Sequence, residues 1–430
     1  MHSGSFSQGR KMFDKMCHMF KRKGSSSTNG ATHTSVNSAE RSVQSSKENV
    51  PKEDLQKNVF PRNEGSNSRG ESKSGKAGGL GGLLDDNPKY NAIRFLGSGS
   101  YGMVVLASNL TNCTPVAIKL IPRGKQIDEK VLREVRNHKR LNHPNVVKFH
   151  EVFLTSSHLC IVMDYAPGQN LLKYVSERGY LLEKNARKVF QQLILAVHKC
   201  HSMQIVNRDI KLDNTLLDNG DPPNIMICDF GYSKSLEDDS VPNSRVGTPQ
   251  YLAPEVLLAN PKIGYDAKKA DVWSCGVFLF AMLAGHYPFG DGSRNAHRED
   301  QLSRLIQKIL TGKFTVPSRI SWDAQDLLRK MIHGDHNGRI TMEEIKIHPW
   351  FSVDLGESFE KQWNSSGEEQ NPSTQSDGEI EWIVREAKKS SFSNQSLDAL
   401  VQAAMKENAS KEKSTEKDGD WVMMEPVKTH

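Results

Sequence analysis

Apolar and polar positions change rhythm several times along this chain, and each rhythm predicts a different element. The run RFLGSGSYGMVVLAS reads as strand, tight glycine loop and strand, because VVLAS is β-branched and strand-like. In VAIK, alternation puts Val116 and Ile118 on one face of a strand and Lys119 on the other. A helix begins near Asp128 and carries Glu134 in the motif REV. The nearest other acid, Glu129, lies five residues earlier, out of phase and facing solvent. Further on, DVWSCGVFLFAMLAGHYPF is apolar on nearly all sides, which predicts a buried helix. Its short length and polar ends exclude a membrane span.

The two ends of the chain carry weaker patterns. Ile380, Ile383, Val384 and Ala387 follow i, i+3, i+4, i+7, predicting a helix at about 375–390. At that length it is marginal alone and needs a surface to pack against. A second helix is predicted in SLDALVQAAMKE, with Ser396 as N-cap and Leu397, Leu400, Val401 and Ala404 as its stripe. Near the start, Met12, Phe13, Met16, Met19 and Phe20 recur at helical spacing beside Lys11, Lys15, Lys21, Arg22 and Lys23. Such a piece could touch a membrane or partner or act as a transit peptide. Asp14 and its shortness favour a plain tail. Residues 1–88 as a whole are rich in Ser, Gly, Asn and Lys, with few aliphatics after position 20, and predict a disordered arm.

Length and charge sharpen this division. The 430 residues exceed the apolar-rich core, about Tyr90 to Phe351, by roughly 170. Expected segments are therefore an arm (1–88), a core (89–351) divided at 165/166, and a tail (352–430). The arm carries +5 and the tail −7, leaving +8 on the core within an overall +6. With no basic–aromatic interleaving, that balance is no nucleic-acid signature. Cys17, Cys113, Cys160, Cys200, Cys228 and Cys275 are scattered without a CxxC pair, as reduced thiols would be in cytosol or nucleus. No secretory signal is visible. Cys228, beside Asp229, reads as an oxidation-sensitive thiol or, more simply, a small buried core residue.

The chemistry lies in an ordered set of polar motifs. Gly97, Gly99, Gly102 and Val104 fit G-x-G-x-x-G-x-V; a dinucleotide-binding fold would instead need a helix after the glycines. VAIK ends at Lys119, VNRDIKLDN holds Asp209, Lys211 and Asn214, DFG starts at Asp229, and APE spans Ala253 to Glu255. Together these resemble the signature of protein kinases. The resemblance implies an α+β, bilobal eukaryotic protein kinase fold, with a small β-rich N-lobe holding one main helix and a larger helical C-lobe. It implies an ATP- and Mg2+-dependent serine/threonine kinase acting on protein substrates.

Under that resemblance, Leu96, Gly97, Ser98, Gly99, Ser100, Tyr101, Gly102, Met103, Val104, Ala117, Lys119, Glu134 and Leu216 surround ATP. Glycines let backbone N–H groups approach the phosphates, and Glu134 positions Lys119. Asp209 accepts the substrate hydroxyl's proton, Lys211 stabilises the transferring group, and Asn214 and Asp229 supply oxygens to Mg2+. Lys211 is the serine/threonine-kinase choice. Asp271 would brace the catalytic loop, and Arg339 would pair with Glu255. Asn207 stands where the pattern has His, which predicts tuned loop packing. Asn170 stands where many basophilic kinases have Glu, leaving Asp213 as a nearby acid for a basic substrate side chain. In the segment from Asp229 to Glu255, Ser244 is the expected activating phosphosite, with Arg208 as its cationic partner. Ser233, Ser235 and Ser240 compete for that role, and Thr248 belongs to the substrate platform beside Asp209 and Lys211.

DFGYSKS, NSRVGTPQYLAPE, REVRNHKRLNHPNVVKF and the tail helix are similar to one group, the plant and green-algal sucrose-non-fermenting-1-related protein kinases, subfamily 2. The resemblance implies a tail helix lying along the helix of Glu134 and supporting its active pose. It also implies a setting of osmotic, hormone or nutrient stress signalling, with an upstream kinase and an opposing protein phosphatase. The group's strongly acidic terminal box is reduced here to the short DGDWVMMEPV, so general stress or nutrient signalling is expected. Two rival readings are a pseudokinase scaffold, on Asn207 and Asn170, and a calcium/calmodulin-regulated kinase with an autoinhibitory tail. No EF-hand loop or strongly basic tail helix supports the second.

Overall fold

Strands β1 (Tyr90–Gly99), β2 (Gly102–Asn109), β3 (Thr114–Pro122), β4 (Phe149–Leu154) and β5 (His158–Asp164) form one antiparallel sheet in the order β1-β2-β3-β5-β4. The computed structural model describes residues 83–84, 86–99, 102–237, 242–260, 262–290, 298–365 and 375–389. Ser100, Tyr101, Ser240, the basic piece at Met12–Phe20 and the helix expected from Ser396 lie outside these residues.

Alternation along the strands sorts side chains onto two faces. Met103, Val105, Ala107, Val116, Ile118 and Leu120 share an outer-face core with Tyr90, Cys160 and Val162. Val104 lies opposite Lys119 in the register, and both point to the other face. Leu83 and Leu84 join the outer core, and the Asp86 carboxylate accepts from the Ser156 N–H at 2.7 Å. The end of the segment expected to be disordered is therefore packed. Two adjacent leucines find the apolar sheet face, and burying each is worth about 1.5–3 kcal/mol.

Helix α1 (Glu129–Arg140) crosses the inner side of the sheet. Asp128 caps it by accepting from Lys130 N and Val131 N, and Lys139 and Arg140 complement its C-terminal dipole. Its apolar face, Val131, Leu132 and Val135, packs with Phe149, Val152, Leu159 and Ile161.

The second lobe contains α2 (Leu171–Arg178), α3 (Glu183–Ser202), α4 (Pro254–Leu257), α5 (Ala267–Ala284), α6 (Arg298–Thr311), α7 (Trp322–Met331), α8 (Met342–Lys346) and α9 (Pro349–Ser352). Only Lys268 and Lys269 of α5 escape burial, as expected of a helix apolar all round. Among the described residues no helix is long and apolar enough to cross a membrane. Short strands frame the functional loops: β6 (Ile205–Val206) pairs with β9 (Lys234–Ser235), and β7 (Thr215–Leu217) with β8 (Ile225–Ile227).

Two elements follow position 352. Helix α10 (Glu357–Asn364) packs Phe359 against Phe351 and stacks Trp363 on His198 of α3, ring centroids 3.8 Å apart. Helix α11 (Asp377–Lys389) lies against α1 and β4, with Ile380, Ile383, Val384 and Ala387 buried in the α1 core. Gln375 completes the edge of β4, donating to Val152 O and accepting from Val152 N, both at 2.8 Å.

Candidate active site

The β6–β7 connection carries Asp209, Lys211 and Asn214, and the β8–β9 connection carries Asp229, so one pair of small ribbons brings four polar groups together. The buried Asp209 carboxylate accepts from Lys211 Nζ at 2.7 Å and Asn214 Nδ2 at 3.0 Å on one oxygen. Its other oxygen accepts from Thr248 N at 3.0 Å and Thr248 Oγ1 at 2.8 Å. Lys211 Nζ also donates to Thr248 Oγ1 at 2.9 Å. Gly247 permits this approach: it has φ 116°, and a Cβ there would lie 2.7 Å from the Arg208 carbonyl oxygen.

Above this cluster, Lys119 Nζ donates to Glu134 Oε1 at 2.5 Å and stands 3.7 Å from Asp229 Oδ1. Burial works against the ammonium charge, yet the two carboxylates outweigh it and raise the Lys119 pKa above its ordinary value. Glu129, the other acid considered, is exposed. Val104, Ala117 and Lys119 share the inner face of the sheet, and half-buried Leu216 lies on β7 in the opposite lobe. Leu96, Gly97, Ser98 and Gly99 belong to β1, and Gly102 opens β2. Gly102 has a second constraint beyond phosphate access, since a Cβ there would sit 2.0 Å from the Leu120 carbonyl oxygen. The Met103 side chain is 1% exposed and lies within the outer core, so any part it has at the inner face is through its backbone.

Behind these groups a buried column runs from the sheet to the DFG motif. His138 lies edge-on to Phe149 (5.9 Å between centroids) and stacks on Phe230 at 5.1 Å. Its Nε2 lies 2.6 Å from Val147 O, so that nitrogen carries the proton and donates. Asp271 anchors the catalytic loop, accepting from Asn207 N, Arg208 N and His201 Nε2 at 3.0, 2.9 and 2.9 Å. Arg339 is fully buried and donates to both Glu255 oxygens at 2.6 and 3.0 Å. Burial pushes the Cys228 thiol up to about 12, with Asp229 adding to the effect, so this partly exposed cysteine holds its proton at neutral pH.

The activation-segment serines separate by burial. Ser233 and Ser235 are buried, whereas Ser244 is exposed and its Oγ accepts from Arg208 Nη1 at 3.1 Å. Asn170 spends its side chain as the N-cap of α2, accepting from Lys173 N at 2.9 Å, while Asp213 is exposed.

Sequence comparison agrees with this geometry. Residues 90–351 match the family model described as protein kinase domain. The rice (japonica) serine/threonine-protein kinase SAPK9 is 47% identical over 275 residues, 64% of this chain and 74% of the relative. Arabidopsis thaliana SRK2C is 44% identical over 304 residues, 70% of this chain and 85% of the relative. Rice (indica) SAPK2 is 44% identical, covering 71% of this chain and 91% of the relative. The chain belongs to the protein kinases, subfamily 2 of the sucrose-non-fermenting-1-related group.

It is a serine/threonine kinase, and protein kinases in general use ATP and Mg2+ and act on proteins. Nothing favours a pseudokinase: Lys119, Glu134, Asp209, Asn214 and Asp229 are all in place. The kinase motifs left some residues of the site unmarked. Met163 at the end of β5, opposite Ala117 in the register, begins the connection between the lobes; its signal was an apolar strand running into Pro167-Gly168. The column residues His138 and Phe149 both lie in REVRNHKRLNHPNVVKF, but one falls on a helix and the other on a strand, and their ring contact forms only in the fold.

Proposed function

We propose that this kinase transfers the ATP γ-phosphoryl group to serine or threonine hydroxyls of protein substrates, with Asp209 as proton acceptor. The observation that carries the reading is the placement of Lys211 Nζ within 2.7 Å of Asp209 and 2.9 Å of Thr248 Oγ1. A hydroxyl displacing one of these donors would meet a base and a cation together. Lys119, kept charged by Glu134 and Asp229, would hold the nucleotide's phosphates, with the backbone at Gly97, Gly99 and Gly102 available to them. Asn214 and Asp229 suit a hard divalent ion, because each offers an oxygen and Asn214 turns its amide nitrogen toward Asp209. When bound, Mg2+ neutralises charge developing on the phosphates.

Phosphorylation of Ser244 by an upstream kinase would supply Arg208 with a stronger partner, and a protein phosphatase would remove it. The similarity to the subfamily supports a role in stress or nutrient signalling in the cytoplasm or nucleus. Radiolabel transfer from ATP to a basic peptide tests the reading: Asp209→Asn should lose about a hundredfold or more. Retention of wild-type turnover in that variant would end it.

A further inference from the structure

Arg208 has a left-handed backbone, φ 66°. A non-glycine residue keeps that conformation only where its surroundings enforce it. Asn207 provides much of that enforcement. Its side-chain Oδ1 accepts from the Asp209 N–H at 3.0 Å, closing a small turn over Arg208. Its own N–H and that of Arg208 donate to the two oxygens of Asp271. The turn sends its two neighbours in different directions. Arg208 reaches Tyr232 O through Nε at 2.6 Å and Ser244 Oγ through Nη1. Asp209 faces Lys211, Asn214 and Thr248.

We infer that Asn207 is a positioning residue for phosphoryl transfer: its side-chain carbonyl aims the Asp209 carboxylate by holding the Asp209 peptide N–H. The residue is 4% exposed, so no water would replace that acceptor cheaply if it were removed. Loss of the bond leaves a buried N–H without a partner and frees the backbone from which the carboxylate projects. Lys119 and Glu134 belong to β3 and α1 and are untouched by this turn. The defect should therefore fall on the chemical step and spare nucleotide binding. An amide also carries no charge at any working pH, so the turn is held equally where an imidazole would titrate. The inference rests on Asp209 being the base.

The test compares Asn207→Leu, of similar shape but without an acceptor, with Asn207→Ser, whose hydroxyl can accept in the same turn. Using the full chain, a basic peptide and varied ATP, the Leu variant should lose about tenfold or more in kcat, with KM for ATP within about twofold. The Ser variant should recover most of the rate. A Leu variant with wild-type kcat overturns the inference, and so does a Ser variant as impaired as the Leu variant. If the Leu variant does not fold, Asn207→Ala takes its place, and equal kcat for Ala and Ser is the overturning result. Activity retained by Asp209→Asn would instead remove the catalytic reading beneath it, which is a separate outcome.

Discussion

Arg136 on α1 and Glu381 on α11 meet at 2.6 Å although 245 residues separate them. Both are partly exposed, so the pair contributes only about 0.2–1 kcal/mol, and Lys139–Asp377 is of the same kind. The stripe beneath outweighs them, because burying each of Ile380, Ile383 and Val384 is worth about 1.5–3 kcal/mol. At the helix end, Arg123 donates to Glu386 O at 3.3 Å and Gly124 N to Ala387 O at 2.9 Å, supplying partners for its last carbonyls. Since α1 also holds Glu134, loosening the stripe should loosen the Lys119–Glu134 contact. Ile383→Ala with Val384→Ala should therefore lower peptide phosphorylation severalfold, while Glu381→Gln stays near wild type. Equal rates for the stripe variant and the unsubstituted chain would refute the coupling.

Ser244 and Arg208 give a second prediction. A phosphate at Ser244 brings nearly two negative charges within reach of a guanidinium already 3.1 Å from its Oγ. That guanidinium also holds Tyr232 O of the DFG segment, so the new charge would tighten both ends of the activation segment. Ser244→Ala should reduce the activity of the phosphorylated enzyme by about tenfold or more. Phosphatase treatment should then have little further effect. A Ser244→Ala enzyme as active, and as phosphatase-sensitive, as the unsubstituted chain would dismiss the site.

What could be read from the sequence follows from how local each feature is. Lys119, Asp209 and Asp229 lie in short motifs whose chemistry requires neighbours at fixed spacing. The burial of α5 and the stripe of α11 are periodicities within single elements. The contribution of Leu83 and Leu84 was hidden because the surface they cover is assembled from strands that follow them. The burial of Met103 follows from strand alternation, which turns its side chain to the outer core while Val104 faces the other way. The Phe149–His138–Phe230 column unites three segments that share no period and appears only once the lobes are folded.

Arg339 illustrates a stability prediction with a clear magnitude. Its five N–H donors all have acceptors: both oxygens of Glu255, Lys269 O, and His333 O twice. Replacing Arg339 by Met strands the Glu255 carboxylate in the interior, a loss of about 3–5 kcal/mol. In a domain of this size that corresponds to a fall in Tm of about 10 °C. Adding Glu255→Leu to the same chain should restore part of the loss, because the uncompensated charge is gone. A thermal melt in which Arg339→Met shifts Tm by less than about 2 °C would contradict the buried-pair account.

His138 predicts the direction of the acid limb. Burial pushes its pKa from 6.5 down to about 4, against the opposing pull of its bond to Val147 O. In the unfolded chain the imidazole binds its proton near pH 6.5, and in the folded chain only near 4. Between those values the unfolded state holds more protons, so stability is full above about pH 6.5 and declines as pH falls toward 4. Below 4 both states are protonated and the decline from this residue ends. One such histidine accounts for about 3 kcal/mol across the window. His143 and His158 are depressed to about 4 as well, by burial first, so the limb is shared. His138→Gln keeps an N–H that can reach Val147 O but cannot titrate. Denaturant melts from pH 7 to 4 should show a shallower decline in that variant by about the same 3 kcal/mol. A slope identical to that of the unsubstituted chain would mean that His138 does not enter the folded core neutral.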